Sequence, residues 1–273
     1  MPSYVVTGAS RGIGFEFVRQ ISQDRQNTTI ALARNKAAAE AKFAKEGIDN
    51  VHVVEAQYTD FASLKRAADE VKEITNGSLD YLINNAGYIS LFSQFLTFSE
   101  FEDDLEALEK DIMECFEVNL LGVIKATHAF LPLIRKGKEK KVISLTSGFA
   151  ELDLTNDYEI ASSTSYSISK SALNMAMAKY NACYKQEGIL FLSIAPGTAE
   201  GDEAAERRAK LSAVEAANAV ALMKGFAAYA PDFTGPWTFA QSASAVLSVM
   251  HKKSLAGGDG GAAVSQFGNK QWL

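Results

Sequence analysis

The sequence predicts an α/β fold: a single doubly wound parallel sheet with helices on both faces, forming one domain over residues 1–273. Six short apolar runs alternate along the chain with longer segments of helical pattern. The runs are nearly unbroken rather than alternating with polar residues, which is typical of strands buried on both faces. No internal repeat or low-complexity linker indicates a second domain.

The expected elements follow one another as strand, helix, strand. The expected strands are Tyr4–Thr7, Thr29–Ala33, Val51–Glu55, Leu79–Ile83, Lys141–Thr146 and Ile189–Ala195. The intervening segments are long enough for helices at Gly12–Asp24, Ala37–Glu46 and Phe61–Ile74. The alanine-rich stretch Ala204–Ala230 predicts one or two further helices, and the glycine-rich tail predicts a turn-rich segment folded back on the sheet.

Composition and charge argue against several classes of partner. The 273 residues are 47% hydrophobic and 22% charged with a net charge of −6, which disfavours nucleic acid and anionic membranes. The N-terminus has no basic segment followed by an apolar run, and the two cysteines are isolated, so we expect a cytoplasmic protein. The three histidines lack ligand spacing, so no metal site is expected.

The segment Thr7–Gly14 (TGASRGIG) places three glycines directly after the first strand. A glycine turn between a strand and a helix exposes N–H groups at the helix N-terminus, where the helix dipole favours a phosphate. Side chains at Gly8, Gly12 or Gly14 would obstruct a pyrophosphate or the contact between helix and strand. Taken alone, the motif fits a flexible turn equally well.

Three further strands end in polar or glycine-rich residues: Leu82–Gly87 (LINNAG), Ser144–Gly148 (SLTSG) and Ala195–Gly197 (APG). Ligands of an open parallel sheet bind outside the carboxyl ends of its strands, so these ends predict one shared crevice. Beyond the fifth strand, Tyr166 and Lys170 stand four residues apart, which places them on one face of a helix.

Asn119 continues an apolar stripe that predicts a helix. The stripe has spacings of 4, 3, 4 and 4 residues and consists of Phe101, Leu105, Leu108, Ile112 and Phe116. Asn119 follows three residues later on the same inward face, where a buried amide must find hydrogen-bond partners. An asparagine that only braces a neighbouring loop would fit this pattern as well.

These motifs together resemble the classical short-chain dehydrogenase/reductase family, which has the Rossmann fold, and the resemblance covers nearly the whole chain. It rests on Gly8-x-x-x-Gly12-x-Gly14, Asn84-Asn85-Ala86-Gly87, Asn119, Ser147, Tyr166-x-x-x-Lys170 and Pro196-Gly197. The tail is similar to the carbonyl-reductase-like branch that includes sniffer and C-factor proteins, by Gly268, Asn269 and Trp272.

The resemblance implies an oxidoreductase that interconverts a carbonyl and an alcohol by hydride transfer. It assigns catalysis to Asn119, Ser147, Tyr166 and Lys170. The implied cofactor contacts are Gly8, Ser10, Arg11, Gly12, Ile13, Gly14, Arg34, Asn85, Ala86, Gly87, Tyr166, Lys170, Pro196, Gly197 and Thr198. It also implies a small-molecule substrate, and it leaves a homodimer or a homotetramer open.

Each catalytic residue has an expected role. Tyr166 would be the general acid–base, and Lys170 would favour its phenolate and bind the nicotinamide ribose. Ser147 would hydrogen-bond the substrate oxygen. In the family, the residue at Asn119 holds a water that links the lysine to solvent. The alternative for Tyr166 is a core aromatic residue with a satisfied hydroxyl.

The end of the second strand bears on the choice of cofactor. Arg34 stands where an NAD-preferring sheet usually has an acidic residue, and Arg11 lies in the glycine loop. Two guanidinium groups around one phosphate would favour NADP(H) over NAD(H). Both could instead be solvated surface arginines.

Three features depart from the usual family pattern. Gln57 stands where an aspartate near the adenine is common, and Gly201 stands in place of a threonine that contacts the nicotinamide. The gap between Ser147 and Tyr166 is longer than usual, so the insertion Glu151–Ser163 should border the substrate pocket.

A second segment, about residues 198–239, should also line that pocket. Aromatic residues of this segment and of 88–98 and 149–163 favour a bulky apolar or aromatic carbonyl substrate. These residues are Phe92, Phe95, Phe149, Tyr158, Phe233 and Trp237. A cofactor-binding regulator without turnover and a non-redox isomerase or cyclase remain the alternative functions.

Overall fold

The computed structural model describes residues 1–200 and 209–273 and contains one seven-stranded, all-parallel sheet. The strands are β1 Ser3–Thr7, β2 Thr28–Ala33, β3 His52–Glu55, β4 Tyr81–Asn84, β5 Lys141–Leu145, β6 Leu190–Ile194 and β7 Ala263–Val264. Their spatial order is β3-β2-β1-β4-β5-β6-β7. The chain winds outward in opposite directions from β1 and β4, so the topological switch point lies between these two strands. The predicted doubly wound α/β fold is confirmed.

Helices cover both faces of this sheet. In the described residues they are α1 Gly12–Ile21, α2 Lys36–Lys45, α3 Phe61–Ile74, α4 Leu105–Phe116, α5 Val123–Ile134, α6 Leu152–Asp157, α7 Thr164–Tyr184, α8 Ala213–Tyr229 and α9 Phe239–Lys252. The predicted helix at Phe61–Ile74 has these bounds in the structure, and α1 ends three residues before its expected end. Of the alanine-rich stretch, α8 forms the part from Ala213 onward, where Ser212 and Glu215 make a capping box.

Two apolar clusters explain why the strands read as continuous apolar runs. In β1, Val6 packs against α1, α2 and α9 on one face, and its neighbour Val5 packs against α3, α5 and α7 on the other. Ile83 and Leu82 of β4 divide between the clusters in the same way. Because successive side chains of a strand point to opposite faces, both must be apolar when both faces are covered.

The tail adds the seventh strand, which the sequence prediction described only as a turn-rich segment. Ala263 and Val264 pair with Ser193 and Ile194 of β6. Two residues are too short to produce a strand pattern in the sequence, so pairing with β6 decides this conformation. The strand places the last residues of the chain beside the carboxyl end of β6.

One continuous helix runs from α4 through a π-helical segment, Glu117–Gly122, into α5. By length and composition alone Leu105–Ile134 could cross a membrane. Its buried residues pack into the second apolar cluster, for example Phe130 and Ile134, which is the arrangement of a core helix. The π-helical segment contains Asn119 and is one of the irregularities that commonly accompany functional sites.

Asp80 ties together the amino ends of three strands, at the edge of the sheet away from the crevice. Its carboxylate accepts hydrogen bonds from Ser3 N (2.9 Å), Ser3 Oγ (3.1 Å), Lys138 N (2.7 Å) and Glu139 N (3.2 Å). Burial raises the pKa of Asp80, but these hydrogen bonds outweigh it and leave the pKa below its ordinary value of 3.8. The ionised form therefore stabilises the native state.

We expect Asp80→Asn to lower the free energy of unfolding by about 2–4 kcal/mol, because charge-assisted hydrogen bonds are lost and buried N–H groups lose their acceptor. A depressed folded pKa stabilises above the unfolded pKa and loses its effect as pH falls through the folded value. The difference between wild type and variant in urea unfolding should therefore shrink below pH 3.8. Asp49→Asn, which breaks an exposed pair with Arg25, is the control and should change little. Equal losses in both variants would contradict the prediction.

Candidate active site

The glycine loop after β1 has a geometry that only glycine permits. Gly8 and Gly12 have φ values of +64° and +58°, in the left-handed region that other residues rarely adopt. A Cβ on Gly14 would lie 2.3 Å from the Gly8 carbonyl oxygen. At Arg11, the N-cap of α1, no side chain caps the helix, and the first turn contains no acidic residue. This helix N-terminus suits an anion such as a phosphate.

Asn85 holds the glycine loop against the end of β4. Its amide nitrogen donates to Thr7 O (2.9 Å) and Gly8 O (3.2 Å). The Thr7 hydroxyl accepts from the backbone N–H groups of Asn85 and Ala86, both at 3.0 Å. A Cβ on Gly8 would lie 2.9 Å from Ala86 Cα, so the two segments are in direct contact. The Asn-Asn-Ala-Gly motif therefore shapes the loop across the switch point.

A cavity of about 270 Å³ lies beside the glycine loop, at the end of β2. Its lining consists of Ser10, Arg34, Asn35, Ala38, Ala39 and Lys42. Sequence analysis missed Lys42, whose Nζ donates to Ser10 O at 3.1 Å and thus links α2 to the loop. The available signal was its place in the predicted helix Ala37–Glu46, which directly follows Arg34 and the second strand. Arg11 is exposed and does not line this cavity, whereas Arg34 does.

Ser147, Tyr166 and Lys170 come together at the end of β5. Ser147 begins a 3₁₀ turn, Gly148–Ala150, and Tyr166 and Lys170 lie on one face of α7. Lys170 Nζ is 5.6 Å from the centroid of the Tyr166 ring and donates to Leu145 O at 2.8 Å. Lys170 is 4% exposed, so it is fixed beneath the tyrosine.

Burial is the largest influence on the protonation of this cluster. Burial raises the pKa of Tyr166 to about 12, against a smaller lowering effect of a hydrogen bond with the Ser147 side chain. Burial also lowers the pKa of Lys170 to about 8. Desolvation opposes the charged form of both groups and dominates here. Burial thus favours the neutral phenol of Tyr166, the form that can donate a proton.

The Asn119 side chain makes three hydrogen bonds. Its Oδ1 accepts from Tyr88 N (2.8 Å), and its Nδ2 donates to Tyr88 O (2.8 Å) and Ser169 Oγ (2.9 Å). These bonds brace the loop after β4 against α7, which is the alternative role that the sequence left open. Asn119 also stays close to the cluster, because a Cβ on Gly87 would lie 3.4 Å from its Oδ1 and 3.6 Å from Lys170 Nζ. Its part in a water-mediated relay stays a prediction.

A second cavity, of about 70 Å³, contains Ser147 and Tyr166 in its wall. The complete lining in the described residues is Thr146, Ser147, Gly148, Phe149, Leu154, Tyr166, Ala195, Pro196, Gly197, Thr198, Phe226, Trp272 and Leu273. Pro196, Gly197 and Thr198 thus follow β6 into the crevice, as the strand-end argument predicts. Gly197 has a φ of +76° and contacts Gln266 of the tail.

The aromatic lining differs in part from the expectation. Phe149 contributes, whereas Phe92, Phe95, Tyr158, Phe233 and Trp237 do not line this cavity. Phe226 lies within the segment 198–239 that was expected to line the pocket, whereas Trp272 and Leu273 of the tail were not anticipated as lining residues. Gly201 lies outside the described residues.

The described part of the chain contains no cluster of His, Cys, Asp or Glu side chains that could hold a metal ion. The crevice contains a glycine loop after β1, a cationic cavity at the end of β2 and a hydroxyl–phenol–ammonium cluster at the end of β5. These features are typical of the class of dinucleotide-binding α/β proteins.

Comparison with known proteins specifies the family. The family model for short chain dehydrogenase matches residues 3–212. The short chain dehydrogenase virK of Hypocrea virens is 41% identical over the full length of both chains. The chain belongs to the short-chain dehydrogenase family of oxidoreductases.

Solved structures agree with this assignment. NADPH-bound carbonyl reductase from chicken fatty liver has a TM-score of 0.74 and 26% identity, over 98% of each chain. The carbonyl reductase Sniffer of D. melanogaster has the same TM-score, coverage of 98% of each chain and 20% identity, so it supports the fold alone.

Proposed function

We propose that the protein is an NADP(H)-dependent oxidoreductase that interconverts a carbonyl compound and its alcohol. The observation that carries the proposal is the cluster in which Ser147 and Tyr166 share one cavity wall and Lys170 lies directly beneath the tyrosine. A hydroxyl, a protonated phenol and a buried ammonium can together hold a carbonyl oxygen and protonate it.

In this mechanism Tyr166 is the proton donor. With its pKa raised to about 12 by burial, the phenol is protonated at neutral pH and can donate to an oxygen that the Ser147 hydroxyl holds. The Lys170 ammonium stabilises the phenolate that remains after transfer. The glycine loop and the cavity lined by Arg34 and Lys42 would hold the cofactor, which would supply the hydride chemistry when bound. Asn119 keeps the loop at Tyr88 and helix α7 in register around this group.

The cationic cavity beside the glycine loop supports NADP(H) as the cofactor. Arg34 and Lys42 line it, and no acidic residue is part of its lining in the described residues. Ribose hydroxyls are usually bound there by an acidic side chain, whereas a 2′-phosphate needs cationic donors. NADPH is also the cofactor bound in the similar carbonyl reductase from chicken fatty liver.

The catalytic cavity supports an apolar carbonyl compound as the substrate. Phe149, Leu154, Phe226 and Trp272 surround the position in front of Tyr166. Its volume of about 70 Å³ is well below the roughly 300–1,000 Å³ of typical ligand pockets. It holds the carbonyl and one compact substituent, so a bulky substrate must extend beyond it.

The test is a screen of apolar ketones and aldehydes with NADPH, and of apolar alcohols with NADP⁺. The absorbance of NADPH reports turnover, and mass spectrometry identifies the products. The proposal expects NADPH consumption matched by alcohol formation for at least one apolar carbonyl compound. Conversion of substrate without a change in NADPH absorbance would instead indicate an isomerase or cyclase. NADPH binding without any product would indicate a regulator, and either outcome would overturn the proposal.

A further inference from the structure

The last two residues of the chain lie in the wall of the catalytic cavity. Trp272 and Leu273 line the same cavity as Ser147 and Tyr166. Trp272 is 5% exposed. A backbone hydrogen bond and a cation–ring contact hold it beside the cluster.

A compact turn brings the tail to this position after β7. Ser265 N donates to Asn269 O (2.8 Å), and Ser265 Oγ donates to Asn269 Oδ1 (3.0 Å). Asn269 Oδ1 also accepts from Gln271 N at 2.9 Å, and Gly268 adopts a φ of +78°. The turn redirects the chain from the edge of the sheet towards the crevice.

Tyr229, the last residue of α8, then anchors the tail. Its hydroxyl accepts from Trp272 N (2.9 Å) and donates to Lys270 O (3.1 Å). Lys270 Nζ lies 5.1 Å from the centroid of the Trp272 ring and 3.2 Å from the carboxylate of Glu151. Glu151 is the N-cap of α6, so the tail is joined to both helices that flank the cavity.

Two glycines allow this close packing. A Cβ on Gly148 would lie 2.8 Å from Trp272 Cβ, so the residue next to Ser147 must be small for the tryptophan to fit. A Cβ on Gly225 would lie 2.7 Å from Tyr158 O, which brings α8 against the end of α6. The tail thus touches the catalytic strand end directly.

The tail, α6 and α8 form a third apolar cluster, separate from the two cores of the sheet. Its buried members are Leu154, Ile160, Ala195, Phe226 and Trp272. Phe149 connects the cluster to the catalytic tyrosine: its ring stacks on Phe226 at 5.8 Å and meets the edge of Tyr166 at 6.4 Å. A change in this cluster therefore alters the space in front of Tyr166.

We propose that Trp272 and Leu273 form the distal wall of the substrate cavity and set the size of the carbonyl substituent that it accepts. This inference rests on the proposed carbonyl-reducing function. The indole fills space that a larger substituent would need, and its removal should enlarge the cavity because close-packed surroundings collapse only in part.

The test compares Trp272→Ala with the matched control Trp237→Ala, using cyclohexanone as a compact ketone and 1-tetralone as a bulky one. Trp237 packs against Phe267 and does not line the cavity. We expect the ratio of kcat/KM for 1-tetralone to that for cyclohexanone to rise by about tenfold in Trp272→Ala, consistent with the one to two powers of ten that pocket size contributes to specificity. The control should keep the wild-type ratio.

An unchanged ratio in Trp272→Ala, or an equal loss for both ketones, would overturn the inference and leave the proposed reduction intact. If Trp272→Ala does not fold, Trp272→Phe should shift the ratio in the same direction by a smaller factor, and an unchanged ratio there would also overturn it. If wild type reduces neither these ketones nor any other compound, the proposed function fails by itself. The wall is then tested in Trp237→Phe, whose remaining tryptophan, Trp272, should show saturable quenching by the compact cyclohexanone, which the intact wall admits. Absence of quenching overturns the inference.

Discussion

We expect Tyr166→Phe to lower kcat for carbonyl reduction by about 10²–10⁴-fold, the usual contribution of a positioned general acid. The substitution removes only the phenolic hydroxyl, and the phenol is the group that burial keeps protonated. Phenylalanine keeps the ring that meets Phe149 edge-on, so the cavity wall should remain in place. The loss should therefore appear in the chemical step.

Single-turnover kinetics with saturating NADPH measure this loss, and NADPH fluorescence titration measures binding. We expect the dissociation constant of NADPH to stay roughly unchanged, because the hydroxyl that is lost donates to the substrate. Tyr158→Phe is the matched control: it removes the same atom from a tyrosine of the third cluster that packs on Tyr229 outside the cavity. A Tyr166→Phe enzyme that keeps most of its turnover would remove Tyr166 from the mechanism.

The parts of the fold that were predictable are those that the sequence encodes locally. A strand buried on both faces needs apolar residues such as Val5 and Val6 in succession, and this requirement shows directly in the sequence. The glycines of the loop were equally visible, because Gly8 and Gly14 meet Ala86 and Asn85 too closely for any side chain. Both features are visible in the local sequence, although the contacts that require the glycines come partly from the end of β4.

The parts that were not predictable depend on contacts between distant segments. Trp272 and Tyr166 line one cavity although more than a hundred positions separate them, and no periodicity relates them. Lys42 reaches the cationic cavity only because α2 packs beside the glycine loop. Burial raises the pKa of Tyr166, an effect that opposes the one expected from Lys170, and burial is a property of the assembled fold.

Replacement of Arg34 tests the cofactor assignment. If Arg34 contacts a 2′-phosphate, Arg34→Ala removes a charge-assisted interaction of about 1.5–3 kcal/mol, equivalent to a roughly ten- to hundredfold loss of NADP⁺ affinity. Lys42→Ala should cause a smaller loss, since an ammonium binds phosphate as a point charge without a bidentate geometry. Lys45→Ala is the control, because this exposed lysine of the same helix is not part of the cavity lining.

Arg34→Asp should have the larger effect on cofactor choice. Its carboxylate would repel a 2′-phosphate and accept hydrogen bonds from the ribose hydroxyls of NAD⁺, so one substitution disfavours one cofactor and favours the other. Calorimetry gives the dissociation constants of NADP⁺ and NAD⁺, and their ratio measures the cofactor preference without a substrate. Once a substrate is known, the ratio of kcat/KM for the two cofactors measures the same preference. Because Lys42 remains in the cavity, Arg34→Asp,Lys42→Ala should prefer NAD⁺ more strongly than Arg34→Asp alone. An unchanged affinity ratio in Arg34→Asp would place Arg34 in solvent and make the choice of cofactor independent of this cavity.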